Sequence, residues 1–314
     1  MNPFSAIYAA VSATRNQLYD RRILRSNRLR GAVVSVGNLS VGGSGKTPFV
    51  MHLGEQLQMR GIAFDILSRG YRRQTRGVAL VDPSGTPTAF GDEPLLLARR
   101  LQVPVILGES RYEAGLFADR RFGPQMHLLD DGFQHRALAR DFDIVLLPPE
   151  DVTDRLLPSG RLREPLSALR RADAVVLGAA APVPEVLRPN TLIWRVGRGV
   201  QLKAVSGPRI AFCGIARPDK FFTQLRTLGM ELAEAVAFRD HPRYSTHDVQ
   251  KLRELQRQHR AQGFVTTEKD IVNLGPLASE LEPLTIAKVT MQIESPADAV
   301  DTMLRIIAER KRRT

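Results

Sequence analysis

Residues 31–50, GAVVSVGNLSVGGSGKTPFV, constrain the fold of this chain more than any other stretch. Val33, Val34 and Val36 form an apolar, β-branched run that gives way to a loop of glycine and serine and then to Gly45, Lys46, Thr47 and Pro48. That is the order strand, loop, helix start. Gly42, Gly43 and Gly45 reach backbone angles closed to other residues, so successive N–H groups, with that of Ser44, can turn inward around an anion at the next helix N-terminus. In such a P-loop, Lys46 reaches the β- and γ-phosphates of a nucleoside triphosphate and the Thr47 hydroxyl holds Mg2+. The pattern G-x-x-x-x-G-K-[ST] wants glycine where this chain has Ser40. The competing reading is a flexible strand-to-helix connection. The apolar strand before the loop and the helical MHLGEQLQMR after it favour nucleotide binding.

Short apolar runs recur at 63–67, 103–108, 126–129 and 143–147, with helical segments between them. This alternation predicts an α/β fold, a P-loop NTPase-like, doubly wound, mainly parallel sheet with ligands at the C-terminal edge of its strands. The run 126–129 ends in Asp130 and Asp131, and a carboxylate at a strand end can hold Mg2+ directly or through water. Two consecutive acids on an extended chain point to opposite sides, so their roles should differ. A plain DDG turn is the alternative.

Residues 68–77, SRGYRRQTRG, set Arg69, Arg72, Arg73 and Arg76 around Tyr71. The cluster is either a solvated loop or, beside a phosphate site, a set of guanidinium groups matched to a substrate's phosphates. GDEPLLLARRL follows, with Asp92 and Glu93 at a predicted helix N-terminus. Carboxylates there complement the helix dipole, and Asp92 is a catalytic candidate only if the fold brings it to the γ-phosphate. Between 156 and 178 the text predicts a Pro/Gly loop, a basic helix and a strand, with Arg161, Arg163 and Glu164 open to ligand.

TLIWRVGRGVQLKAVSG has two alternating runs about Gly197 and Gly199, which predict a β-hairpin. An α/β pattern then restarts, with a Ser245/Asp248 capping box at one helix start. The expected division is a P-loop domain over 1–190, a hairpin linker over 191–207, a smaller α/β domain over 208–295, and a C-terminal helix over 296–314 able to pack back on the first domain. FRDHPRYS sets Asp240, His241 and Tyr244 at one strand end, and TTEKD sets Thr266, Glu268 and Lys269 in a strand-then-loop at another. A histidine so placed is either structural or completes an active site when two domains close.

Near the start, Phe4, Ile7, Tyr8 and Val11 share one helical face, followed by Arg15, Arg21, Arg22, Arg25, Arg28 and Arg30. Two readings stand: a helix packed on the domain with a solvated basic flank, or a helix lying in a membrane interface near anionic head groups. The net charge of +12 suits a polyanionic partner. Nucleic acid is disfavoured, because the arginines lie in loops without an interleaved aromatic platform. No run approaches the roughly 20 apolar residues of a membrane-spanning helix, and no cleavable signal is evident. Cys213 is the single cysteine, which excludes an intramolecular disulfide. In TTEKD, Lys269 falls one position late for the [NT]-K-x-D guanine signature, so ATP is expected over GTP. The residues thus describe a basic P-loop phosphotransferase, with a membrane-associated switch or partition-type ATPase as the rival.

GNLSVGGSGKTP, SRGY, GDEP, DDGFQHR, PSGRLREP, FRDH and TTEKD, in that order over residues 1–275, resemble the tetraacyldisaccharide 4'-kinase family of Gram-negative bacteria. The resemblance implies ATP- and Mg2+-dependent phosphorylation of the 4'-hydroxyl of a tetraacylated glucosamine disaccharide 1-phosphate, giving lipid IVA, by a peripheral monomer on an anionic membrane surface, the cytoplasmic face of the inner membrane. It implies that Lys46 and Thr47 serve the phosphates and Mg2+, and that Asp130 and Asp131 serve the metal and transition state. Asp92 and His241 would form the base that activates the sugar hydroxyl. His135, Arg163 and Glu164 would lie near substrate, joined by Arg72 of the arginine cluster on the reading that the cluster holds substrate phosphates. Ser40 then fits, because the family loop is GGxGKT without the outer glycine.

Overall fold

Twelve strands join into one sheet in the computed structural model, which describes residues 3–71 and 73–312. The first part of the chain forms α1 (Pro3–Asp20), β1 (Ala32–Asn38), α2 (Lys46–Met59), β2 (Phe64–Ser68), β3 (Ala79–Leu80), α3 (Pro87–Phe90), α4 (Asp92–Leu101), β4 (Val105–Leu107), α5 (Arg111–Arg121), β5 (Met126–Asp130), β6 (Phe142–Leu146) and β7 (Ala174–Gly178). The rest forms β8 (Leu192–Gln201), β9 (Arg209–Cys213), α6 (Pro218–Thr227), β10 (Leu232–Ala237), α7 (Thr246–Gln258), β11 (Phe264–Thr267), α8 (Glu268–Leu274), β12 (Leu284–Ile293) and α9 (Pro296–Arg312). The strand order is β10-β9-β11-β12-β8-β7-β6-β1-β5-β2-β4-β3. Every pairing is parallel except β3 with β4 and β8 with β12.

The strands β1, β2, β4, β5 and β6 are buried along their whole length, as apolar strands covered by helices on both faces must be. Phe49, Leu53 and Leu57 of α2 and Leu95 and Leu97 of α4 fill the largest apolar cluster. On the other face, Phe133, Leu147, Leu169 and Val175 form a second cluster. A separate core around Phe212, Tyr244, Phe264 and Leu252 serves the second half.

The hairpin expected over 191–207 is absent: residues 192–201 are a single strand that runs through Gly197 and Gly199. Its partner is remote in sequence. The first part of β8 pairs parallel with β7, and its second part pairs antiparallel with β12, with Arg198 opposite Met291. The front of β12 passes on to pair parallel with β11. Two consequences follow from these registers alone. A two-stranded ribbon joins the halves, and the strands of the second half run opposite to those of the first, so that their C-terminal ends face each other.

TTEKD also departs from its expected loop, because Thr267 caps α8 by accepting from the Asp270 amide. The C-terminal helix α9 packs against α2 and β6, with Arg310 on Asp173 and Arg60 on Asp301. The helix α1 lies on the domain, but not through its apolar face. Ser5 pairs with Ser159 at 2.8 Å and Tyr8 donates to the Arg163 carbonyl at 3.2 Å, whereas Phe4, Ile7 and Val11 stay 67%, 62% and 63% exposed. Among the described residues no helix is long and apolar enough to cross a membrane.

At the sheet edge remote from the P-loop, His127 of β5 is fully buried between Asp65 at 3.0 Å and Asp119 at 3.2 Å. Removing the imidazole leaves the buried Asp65 carboxyl without its hydrogen-bond partner, at a cost of about 1–3 kcal/mol, and opens a cavity besides. His127→Ala should therefore lower the unfolding free energy by roughly 2 kcal/mol or more in urea titrations. The half-exposed His259, 3.7 Å from Glu234, should give less than about 1 kcal/mol on the same substitution.

Candidate active site

The P-loop leaves the C-terminal end of β1 and enters α2 through Gly45, whose φ of 89° and lack of a side chain let the first amides of the helix open outward. Gly42 is also left-handed, at φ 101°. Ser40 replaces the outer glycine for a visible reason. It is buried, donates at 2.6 Å to the buried carboxylate of Asp151, and its carbonyl accepts from Asn38. The ribbon closes over the loop from the other side. Arg198 donates to the Ser44 carbonyl at 2.6 Å, and a side chain at Gly45 would strike Met291. Thr47 sits half-buried one residue beyond Lys46 in the first turn of α2.

Asn38, the last residue of β1, organises the cations of the site and had no signal in the sequence beyond its place at a strand end. Its Oδ1 accepts from Lys46 Nζ at 2.9 Å and from Arg163 at 2.6 Å. Arg163 also makes a bidentate pair with Asp131 at 2.8 and 2.9 Å, and Lys46 lies 3.4 Å from the same carboxylate. Asp131 follows the strand end in a left-handed conformation, φ 53°, rather than continuing the extended chain. Burial opposes its ionisation, but Lys46 and Arg163 prevail and hold it well below the usual carboxylate range. Asp130 is the opposite case. Burial, then the Glu93 and Asp131 carboxylates, push it up; Ser68 donates to one oxygen while the other, Oδ1, has no protein partner.

Glu164 is not open to ligand as expected. It is buried and takes hydrogen bonds from Asn16, Gln134 and Arg171, which ties α1 to the loop that carries Arg163. His135 is half-buried with Nε2 3.4 Å from the Arg111 amide; burial, then Arg111 and further arginines, push it down to about 4. Arg72 lies outside the described residues. Its neighbours Arg69, Arg73 and Arg76 line a cavity of about 570 Å³ with Tyr71 and Glu109.

The second half contributes His241, which follows β10 with φ 56°. Its Nδ1 lies 2.8 and 2.9 Å from the two oxygens of Asp92, at the first position of α4 in the other half. Asn273 of α8 donates to Asp92 at 3.1 Å, and Lys269 stands 3.8 Å away. Burial works against the Asp92 charge, yet His241 and Lys269 keep its carboxyl well below the ordinary range. Burial also works against the imidazolium, but the bond to Asp92 moves His241 up. The halves are held together nearby by Arg100 with Glu268 at 3.0 Å and by Glu150 with Arg217 and with Lys220.

A glycine-lined helix start, a lysine at its first turn, and two acids at a neighbouring strand end define a P-loop NTPase-like α/β protein, here with a histidine–carboxylate pair assembled across two halves. The chain matches the family model described as tetraacyldisaccharide-1-P 4'-kinase over residues 1–308. It is 49% identical to the tetraacyldisaccharide 4'-kinase of Koribacter versatilis, over 99% of this chain and 100% of that one. It is 38% identical to that of Geobacter metallireducens, over 96% of each. Its fold matches a crystal structure of "apo" form LpxK from Aquifex aeolicus in complex with ATP, with a TM-score of 0.81 and 34% identity, over 97% of this chain and 98% of that one. The chain belongs to the tetraacyldisaccharide-1-P 4'-kinase family.

The electrostatics of the pair give a signed expectation. Asp92→Asn removes the charge that favours the imidazolium, so the titration midpoint of His241, followed by NMR of labelled histidine, should fall by about one pH unit or more. An unchanged midpoint would show that the pairing does not persist in solution.

Proposed function

We infer that this protein transfers the γ-phosphoryl group of ATP to the 4'-hydroxyl of a tetraacyldisaccharide 1-phosphate in lipid A biosynthesis. The observation that carries the chemistry is the Asp92–His241 pair, formed between the two halves beside the P-loop. In the transfer, the 4'-oxygen bonds to the γ-phosphorus, the bond from that phosphorus to the β–γ bridging oxygen breaks, ADP leaves, and the hydroxyl proton passes to His241 Nε2. Asp92 orients the ring and stabilises its charged form. The amides of Gly42, Gly43, Ser44 and Gly45 would cradle the phosphates, and Lys46 would move from Asn38 and Asp131 onto the transferring group.

The residues present fit Mg2+. Thr47 and Asp130 would hold it, Asp130 through the oxygen that has no protein partner, with Asp131 close by. A cation there neutralises charge on the β- and γ-phosphates, and Mg2+ is commonly held by one or two carboxylates plus phosphate oxygens. Arg163 acts on Asp131, and Arg69 and Arg73 with His135 face the substrate side; Arg72, outside the described residues, is assigned to the substrate with them. We assign the P-loop domain to residues 1–190 and the smaller α/β domain, which brings His241, to 208–295. The enzyme works as a peripheral monomer on the cytoplasmic face of the inner membrane, where α1 turns Phe4, Ile7 and Val11 outward beside a flank of arginines.

Incubation with ATP, Mg2+ and detergent-dispersed disaccharide 1-phosphate should add one phosphoryl group to the lipid, read by mass spectrometry. Lys46→Ala should cut the rate roughly a thousandfold or more, because it removes charge from the transition state. Near-wild-type turnover in that variant would overturn the site. Replacing Phe4, Ile7 and Val11 together by Ser should leave the melting temperature and the KM for ATP nearly unchanged. It should also release the protein from anionic vesicles and raise the KM for lipid, whereas persistent vesicle binding would exclude α1 as the docking element.

A further inference from the structure

The TTEKD segment is not absorbed by the P-loop chemistry, and its lysine stands where the base would meet its substrate. Lys269 Nζ lies 3.3 Å from His241 Nε2, 3.4 Å from Asp240 Oδ1, 3.5 Å from Glu93 Oε1 and 3.8 Å from Asp92 Oδ2. The helix turn that presents it is rigidly fixed. Buried Asp270 accepts from Thr267 at 2.6 Å, from Tyr244 at 2.8 Å and from the Gly214 amide at 2.8 Å. The Gly214 carbonyl in turn accepts from the amide of His241. One carboxylate therefore anchors both the lysine and the backbone of the histidine it approaches.

An ammonium has hydrogens to give and no lone pair. Where it meets Nε2, that nitrogen is the acceptor, and the ring hydrogen of a neutral imidazole then sits on Nδ1, directed at Asp92. This is the tautomer a general base needs, with its free lone pair on the side away from the carboxylate. We propose that Lys269 is a positioning residue of the base: it holds His241 neutral with Nε2 as acceptor, and cedes that nitrogen to the sugar hydroxyl while Asp240 and Glu93 keep the ammonium in place. The proposal rests on the phosphotransfer reading above.

The groups facing the imidazole are Asp92 from α4, Lys269 from α8, Asp240 at 3.8 Å from Nε2, and the edge-on ring of Tyr71; Glu93 reaches it only through Lys269. The carboxylates favour charging the ring, and among the described residues Lys269 is the cation that faces it. Burial and then Asp92 act most strongly on His241, and Lys269 works with burial to lower it.

The test uses the full chain with 15N-labelled histidine, the His241 signals being assigned by their loss in His241→Gln. In the wild type at about pH 8.5 the ring should be neutral with its hydrogen on Nδ1. A hydrogen on Nε2 would overturn the proposal without any variant. In Lys269→Met the titration midpoint should rise by about one pH unit, and Lys269→Arg should restore it. The acidic limb of kcat/KM should move equally, giving a loss of about tenfold near pH 6.5 that shrinks toward pH 9, with the KM for ATP unchanged. A midpoint that stays put, or an equal loss at every pH, would reduce Lys269 to a partner of carboxylates. Failure of the wild type to phosphorylate the lipid would sink the parent reading instead, and the titration separates the two.

Discussion

The rest of the structure depends on the reversal of strand direction between β8 and β12. Ligands of doubly wound sheets gather at the C-terminal ends of the strands, where loops and helix N-termini converge. A second parallel sheet added in the same direction would line its own C-terminal edge alongside the first. The antiparallel ribbon instead sets the two edges opposite each other. The loop after β1 then meets the segment after β9, Gly43 against Ala216, and a carboxylate at the start of α4 can share a bond with a histidine 149 positions later in sequence. The ribbon is more than a tether, since Arg198 within it holds the Ser44 carbonyl and Met291 packs on Gly45. The join between the halves is thus in contact with the phosphate loop.

Within this frame, the charges beside the P-loop hold one another in mutual restraint. Asn38, Lys46, Asp131 and Arg163 form one network in which two cations share an amide oxygen and a carboxylate. Such a network keeps each buried charge compensated, and a triphosphate offers Lys46 equivalent anionic partners. Asp130 stands outside that balance, with one oxygen unpartnered and burial opposing its charge. A cation is the partner that would compensate it most directly.

Local order was legible in the residues. The P-loop, the buried parallel strands and the Ser245 capping box all follow from patterns spanning fewer than about ten positions, and each is present. Apart from TTEKD, whose Thr267 cap is local, the misreadings share one cause, which is that the deciding partner lies far away in the chain. Gly197 and Gly199 read as a turn because β12, which straightens them into one strand, comes some ninety residues later. Glu164 read as open because Asn16 and Gln134, which bury it, are remote. The apolar residues of α1 read as one face, whereas Tyr8 turns inward to a carbonyl that only tertiary packing supplies. The pairing of Asp92 with His241 came from family resemblance, since nothing in either segment alone demands it.

Two residues of the candidate site, Asp131 and His241, adopt left-handed backbone conformations that other side chains rarely accept. Such strain, of order 1–3 kcal/mol each, persists only where surrounding structure over-determines it. Here the determinants are visible: Arg163 and Lys46 grip Asp131, while Asp92, Lys269 and the Gly214 carbonyl grip His241. One of these five, the grip of Asp92 on His241, crosses between the halves. Closure therefore does two things at once. It sets His241 against the half that carries the phosphate loop, and it supplies the Asp92 contact that joins Lys269 and the Gly214 carbonyl in holding His241 in its left-handed geometry. Separating the halves would break the Asp92–His241 bond while leaving Lys269 and the Gly214 carbonyl on His241, so the imidazole is fully partnered only when the two halves are together.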